Sequence, residues 1–287
     1  MNALTTDRMV TCIPYQELYI YYLEGPLPRE EESLLGPDFL GNWIEEDSSF
    51  LFFSCPSREL VQRIVDKNNE LRLIDEFHFT YEEWQGGKIR PSKVSPFLIV
   101  PPWEDSQDSD GRKKIVLDPG VVFGTALHPT TRHCLGALVK VYEKYRFPEV
   151  LDLGTGTGIL AIGAALLGAE RVLAVDNNPL AVRIALRNIG LNGLEERIEV
   201  EEGLAEDCID HNADLIVANI HYDVIRKVIK GEGFLKKKCF ILSGLMRSQA
   251  RDIRFLLSQY PIDIVHEWNH DMIWYTILGR VRDSKGG

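Results

Sequence analysis

The residues best suited to chemistry fall in four places along a chain of 287 residues. In the first, an apolar run from Val150 to Leu153 meets Gly154-x-Gly156-x-Gly158. Glycines let a backbone turn tightly and approach a ligand with no Cβ in the way, and the unpaired amides of a helix start can donate to an anion. A dinucleotide site asks for G-x-G-x-x-G and a pyrophosphate. Here the third glycine comes one residue early, which suits a ligand that presents a carboxylate and an ammonium. The second place is Asp176, an acid at the end of an apolar run, 22 residues after Gly154. A carboxylate at a strand tip can accept from both hydroxyls of a ribose; the plain alternative is an exposed acid or a helix cap. The third is Asn219, closing the run Leu215–Ala218. Its amide and the neighbouring carbonyls can orient an amine, or it can cap a helix. The fourth is Asp118 to Thr131, a loop of glycine, threonine, histidine and proline that opens a helix from Thr130 to Tyr145. Thr131 can donate its hydroxyl to a ligand or cap that helix. Of the histidines, His128 and His221 are placed to help move a proton, with a structural hydrogen bond as the competing role.

These residues need a scaffold, and the chain supplies one from Val150 onward. Short β-branched runs alternate with helical stretches, the pattern of a parallel sheet wound with helices. Strands are expected at Glu149–Leu153, Arg171–Val175, Ile198–Glu201, Leu215–Asn219, Cys239–Ser243, Ile262–Trp268 and Met272–Gly279. Only three residues join the last two, too few for a parallel crossover, so the final pair must be antiparallel. The expectation is an α/β, seven-stranded Rossmann-like sheet with an antiparallel last strand, after a small N-terminal α+β domain. In that domain Tyr15–Leu23 reads as a strand, Asn42–Ser54 as a hairpin, Ser57 as the cap of a helix carrying Leu60, Val61, Ile64 and Val65, and Leu71–Tyr81 as a strand. Four prolines between Arg90 and Trp103 suggest a connector, and Glu104–Lys114 a charged loop. The expected division is residues 1–100, a linker at 101–117, and 118–287.

Composition removes several classes. The net charge of −11 repels phosphate backbones, so DNA is not an expected partner. The longest apolar stretch, Ala161 to Ala169, is too short to span a bilayer. A polar N-terminus suggests no export signal. Five cysteines (Cys12, Cys55, Cys134, Cys208, Cys239) form no CxxC pair, so free thiols in a reducing cytoplasm are expected. No metal is expected, because the pairs His128/His133 and His266/His270 have no cysteine at ligand spacing. No G-x-S-x-G elbow occurs, which sets aside a serine hydrolase of that type.

Together these motifs resemble the PrmA family, the methyltransferases of ribosomal protein L-11. The resemblance runs from Trp84 to the C-terminus. Its most specific block is Asp118-Pro-Gly-x-x-Phe-Gly-Thr with His128-Pro-Thr-Thr131; Asp176 with Pro179, Ala218-Asn219-Ile220 and Leu242-Ser-Gly-Leu245 follow in family order. It implies a cytoplasmic enzyme that uses S-adenosyl-L-methionine to N-methylate lysine or N-terminal amines of a ribosomal protein. It implies cofactor contacts at Thr131, Gly154, Asp176 and Asn219, to which the turn adds Gly156 and Gly158. Asn219 and His128 are the expected catalytic residues. The chain departs from the family at Ala126 and Leu127, where Gly-Thr is usual, and its first hundred residues match only loosely. Two other readings stand beside this one: a methyltransferase acting on another protein, an RNA or a small molecule, and a non-catalytic cofactor-binding module.

Overall fold

The computed structural model describes residues 15–104 and 111–282. Cys12 and most of the charged loop expected at Glu104–Lys114 lie outside the described residues. The described residues fall into two compact units, 15–90 with 101–104, and 91–100 with 111–282.

The first unit is a four-stranded antiparallel sheet of Phe39–Glu45, Ser48–Phe53, Glu17–Glu24 and Arg72–Thr80, in that spatial order. The helix Arg58–Val65 covers one face, sinking Val61 and Ile64 among Tyr21, Leu23, Leu51 and Phe53. Ser57 precedes this helix, as expected, but its hydroxyl turns back to donate to the Cys55 carbonyl and caps nothing.

The second unit holds the seven-stranded sheet. Its strands are β1 (Glu149–Leu153), β2 (Arg171–Asp176), β3 (Ile198–Glu202), β4 (Leu215–Asn219), β5 (Cys239–Met246), β6 (Ile262–His270) and β7 (Trp274–Val281). Their spatial order is β3-β2-β1-β4-β5-β7-β6, and β7 runs antiparallel to both neighbours. The central strands β1, β2, β4 and β5 are largely apolar because both their faces are buried, whereas the edge strands β3 and β6 carry polar, exposed positions. Val150, Val172, Leu215, Val217 and Ile241 face one layer of helices, α1 (Pro129–Tyr142), α2 (Ile159–Leu167) and α3 (Pro179–Leu191). Leu151, Leu153, Ile216, Ala218 and Leu242 face the other, α4 (Tyr222–Lys230) and α5 (Arg247–Leu257). Each fully buried Leu, Ile or Val contributes roughly 1.5–3 kcal/mol, so the strands that carry the site are anchored from both sides.

The stretch that four prolines marked as a connector is instead structured. Ser92–Val94, Phe97–Val100 and Lys113–Val116 form a three-stranded sheet. Proline is tolerated there because the strands are short and Pro96 occupies the turn between two of them. Among the described residues, no helix is long and apolar enough to cross a membrane.

Candidate active site

The carboxyl ends of β1, β2 and β4 lie side by side, since β1 pairs with both β2 and β4. Each delivers one of the predicted residues. At the end of β1 the chain turns through Gly154 and Gly156, at φ +70° and +55°. A Cβ on Gly154 would stand 2.0 Å from Ile220 Cγ2, and one on Gly156 would stand 2.4 Å from the Phe123 carbonyl. Only glycine fits either place. Gly158 ends the turn, and α2 starts at the next residue.

Asp176 closes β2 and is nearly buried, at 8% exposure. One carboxylate oxygen accepts the Gly156 amide at 2.9 Å, the other the Asn178 amide at 3.0 Å. Burial pushes its pKa up, while the amides of Gly156, Asn178 and Asn177 pull it down. The cap of α3 falls to Asn178, which accepts the Leu180 amide at 2.9 Å. Asp176 is thus neither an exposed acid nor the helix cap, and it joins the turns after β1 and β2.

Asn219 ends β4, in register with Ser243 of β5. It caps no helix, since His221 is the residue before α4. Its Oδ1 is buried and has no hydrogen-bond partner. His221 itself is exposed, its Nδ1 3.6 Å from an Asp223 carboxylate oxygen.

The loop from Asp118 to His128 is tied down on the glycine turn. Thr157 donates its amide to the Phe123 carbonyl at 3.2 Å and its hydroxyl to the Gly124 carbonyl at 2.8 Å. Two asparagines one turn apart, Asn188 on α3 and Asn192 just after its end, hold the start of the loop. Asn188 exchanges hydrogen bonds with the Asp118 backbone at 2.7 and 2.9 Å, and Asn192 with the Val116 backbone at 2.9 and 2.7 Å. Asn188 also donates to the Thr157 carbonyl at 2.8 Å. The loop ends at His128, whose Nδ1 accepts the Thr130 amide at 3.3 Å and so caps α1. That leaves the Thr131 hydroxyl buried and unpartnered. The His128 ring sits edge-on between Phe123 and Trp274, each 5.1 Å away between centroids. Burial first, then the positive charge of His270, holds its pKa below the usual histidine value.

Sequence reasoning passed over Asp152 and Asn188. Asp152 lies fully buried on β1, its Oδ2 accepting from Thr155 Oγ1 at 2.7 Å and the Ala161 amide at 3.1 Å. Burial raises its pKa to about 7. Its place within the glycine motif was the available signal. Asn188 acts across 70 residues of sequence, and no local pattern announces that.

The residues present suit a ligand with a ribose and an amino-acid end. A strand-tip acid stands beside a glycine turn that admits no Cβ, and two unpartnered buried polar atoms, Thr131 Oγ1 and Asn219 Oδ1, belong to the first turn of α1 and the end of β4. The fold and this edge define the class I S-adenosylmethionine-dependent methyltransferase architecture. Within that class the chain belongs to the family described as ribosomal protein L11 methyltransferase (PrmA), whose sequence profile matches residues 60–282. It is 38% identical over 197 residues to a ribosomal protein L11 methyltransferase of Heliobacterium modesticaldum, covering 67% of this chain and 61% of that relative. A relative of the same name from Alkaliphilus oremlandii is 33% identical over 248 residues, 79% of this chain and 78% of the relative. The crystal structure of a ribosomal protein L11 methylase from Lactobacillus delbrueckii subsp. bulgaricus superposes with a TM-score of 0.62 at 30% identity, covering 68% of this chain and 100% of that one. The chain thus spans under two thirds of the Heliobacterium relative's length.

Proposed function

We propose that this protein transfers a methyl group from S-adenosylmethionine to a lysine ε-amine or N-terminal α-amine of a ribosomal protein of the L11 type. The observation that carries the reading is the sheet edge itself: a buried acid, a glycine turn, and two buried acceptor or donor atoms without protein partners. The names of the relatives supply the substrate class, and the cytoplasm, where ribosomes are built, is the corresponding location.

When bound, S-adenosylmethionine supplies an electrophilic methyl on a sulfonium. Asp176 would accept its ribose hydroxyls, and the turn at Gly154, Gly156 and Gly158 would take its amino-acid end. The Thr131 hydroxyl, freed from capping by His128, is available to the same ligand. On the acceptor side, Asn219 Oδ1 takes an N–H of the incoming amine and so turns its lone pair. Alignment is the main contribution such a site can make to an in-line displacement. A free lysine, with a pKa of about 10.4, costs roughly 4.6 kcal/mol to present neutral at pH 7, and desolvation beside a cation lowers that figure. The lowered pKa of His128 favours its neutral ring, and with Nδ1 accepting from Thr130 that ring carries its proton on Nε2. The net charge of −11 favours a basic protein over RNA. The N-terminal α+β unit is the proposed recruiting surface.

The test is to incubate the full chain with methyl-labelled cofactor and either ribosomal proteins or a ribosome-depleted fraction. The expected result is label in one ribosomal protein, recovered on hydrolysis as a methylated amine. Label appearing only in RNA or small metabolites contradicts the reading.

A further inference from the structure

We propose that Glu201, Cys208 and His211 form a site for one divalent cation of the zinc class, and that its occupation braces the segment following β3. This goes beyond methyl transfer and does not depend on it. The three donor atoms all lie within 4.8 Å of one another, and among the described residues this is the one such group of three or more. They differ in chemistry: a thiol, an imidazole and a carboxylate. That mixture suits zinc, whereas calcium and magnesium take oxygen alone.

The local fold explains the convergence. Glu201 sits near the end of β3. The chain then doubles back, and the His211 amide donates to the Cys208 carbonyl at 3.1 Å, closing a turn that carries both side chains. The histidine pairs of the sequence offered no ligand set; Cys208-x-x-His211 does, and the turn brings it to Glu201. Cys208 is buried while His211 is exposed, so a cation can enter from solvent and meet a shielded sulfur. A tetrahedral ion with bonds of about 2.0–2.3 Å places its ligands roughly 3.5 Å apart. The exposed His211 ring and the half-buried Glu201 can close that difference by side-chain rotation. Three protein ligands leave a fourth position for water.

The cation would act on a segment already tied to the neighbouring strand. The Gly203 amide donates to the Asp176 carbonyl at 3.0 Å. Glu206 pairs with Lys227 at 2.8 Å, and the Lys237 ammonium donates to the His211 carbonyl. Linking β3 to residues 208–211 therefore stiffens a loop whose first contact is the backbone of Asp176.

The test uses the reduced, full-length protein, stripped by chelation and titrated with Zn²⁺ against a chromophoric chelator. Co²⁺ is used in parallel for its thiolate charge-transfer absorption. We expect one equivalent bound, weakened roughly tenfold or more by Cys208→Ser and by His211→Asn. The cobalt–thiolate band should vanish in Cys208→Ser. His211 is exposed, so His211→Asn keeps the test valid if Cys208→Ser fails to fold. Zinc lost to the chelator, equal binding in the variants, or a cobalt spectrum without the thiolate band each overturns the proposal.

Discussion

β1 and β2 finish on the same edge of the sheet as β4, and they finish differently. At the β2 end both oxygens of Asp176 accept backbone amides, and the glycine turn is packed so closely that no side chain fits. At the β4 end, and in the first turn of α1, Asn219 Oδ1 and Thr131 Oγ1 are buried with no partner. The first region owes its geometry to contacts within the protein. The second carries two groups whose burial costs stability and which a ligand or an ordered water would satisfy; the first has unpartnered atoms as well, Asp152 Oδ1 and Asn178 Nδ2, but its acid is held by amides of the protein. Substitutions at the first should therefore disturb the fold and binding together, whereas those at the second should separate them.

The largest effect is expected at Gly154. An alanine there combines a left-handed backbone with a Cβ 2.0 Å from Ile220 Cγ2. We expect a loss on the order of 3 kcal/mol or more in chemical denaturation, together with loss of cofactor binding by calorimetry. A variant with ordinary stability would show that the turn is looser than described. Asn219→Ala should do the opposite. Methyl transfer is expected to fall by roughly 10–100-fold, the scale for losing one polar contact at a reacting centre, with the denaturation midpoint unchanged or raised. A fall in stability matching the fall in rate would make Asn219 a structural residue. Thr131→Val is milder: cofactor affinity should weaken by about 1 kcal/mol at undiminished stability, again by calorimetry.

An effect of a different kind concerns pH and Asp152. Burial raises its pKa from 3.8 to about 7, so between these values the folded state holds a proton that the unfolded chain has released. Stability from this group then falls as pH rises through that window, and the penalty is complete above it. Urea midpoints from pH 4 to 8 should decline less steeply in Asp152→Asn than in the parent chain. Parallel curves would mean that Asp152 is ionised throughout.

Much of the scaffold was legible because its signals are local. The β-branched runs at Glu149–Leu153 and Leu215–Asn219 have the predicted limits, and the short link before β7 fixed its direction. The acid at the tip of β2 was visible for the same reason. What escaped depends on distant partners. Prolines at 91 and 96 suggested a connector, yet Phe97–Val100 pairs with Lys113–Val116. The capping of α1 by His128 in place of Thr131 turns on side-chain geometry that neither residue type specifies. Glu201 gains its thiol and imidazole neighbours only once the chain turns back after β3.

The central claim is that the edge between Gly154 and Asp176 binds S-adenosylmethionine, and the direct measurement is isothermal titration of that cofactor into the parent chain and Asp176→Ala, with Asp176→Asn as a variant of similar size. The account predicts binding to the parent and a loss of about 2 kcal/mol or more in Asp176→Ala, from the charge-assisted hydrogen bonds removed. Unchanged affinity in a folded Asp176→Ala protein would contradict it.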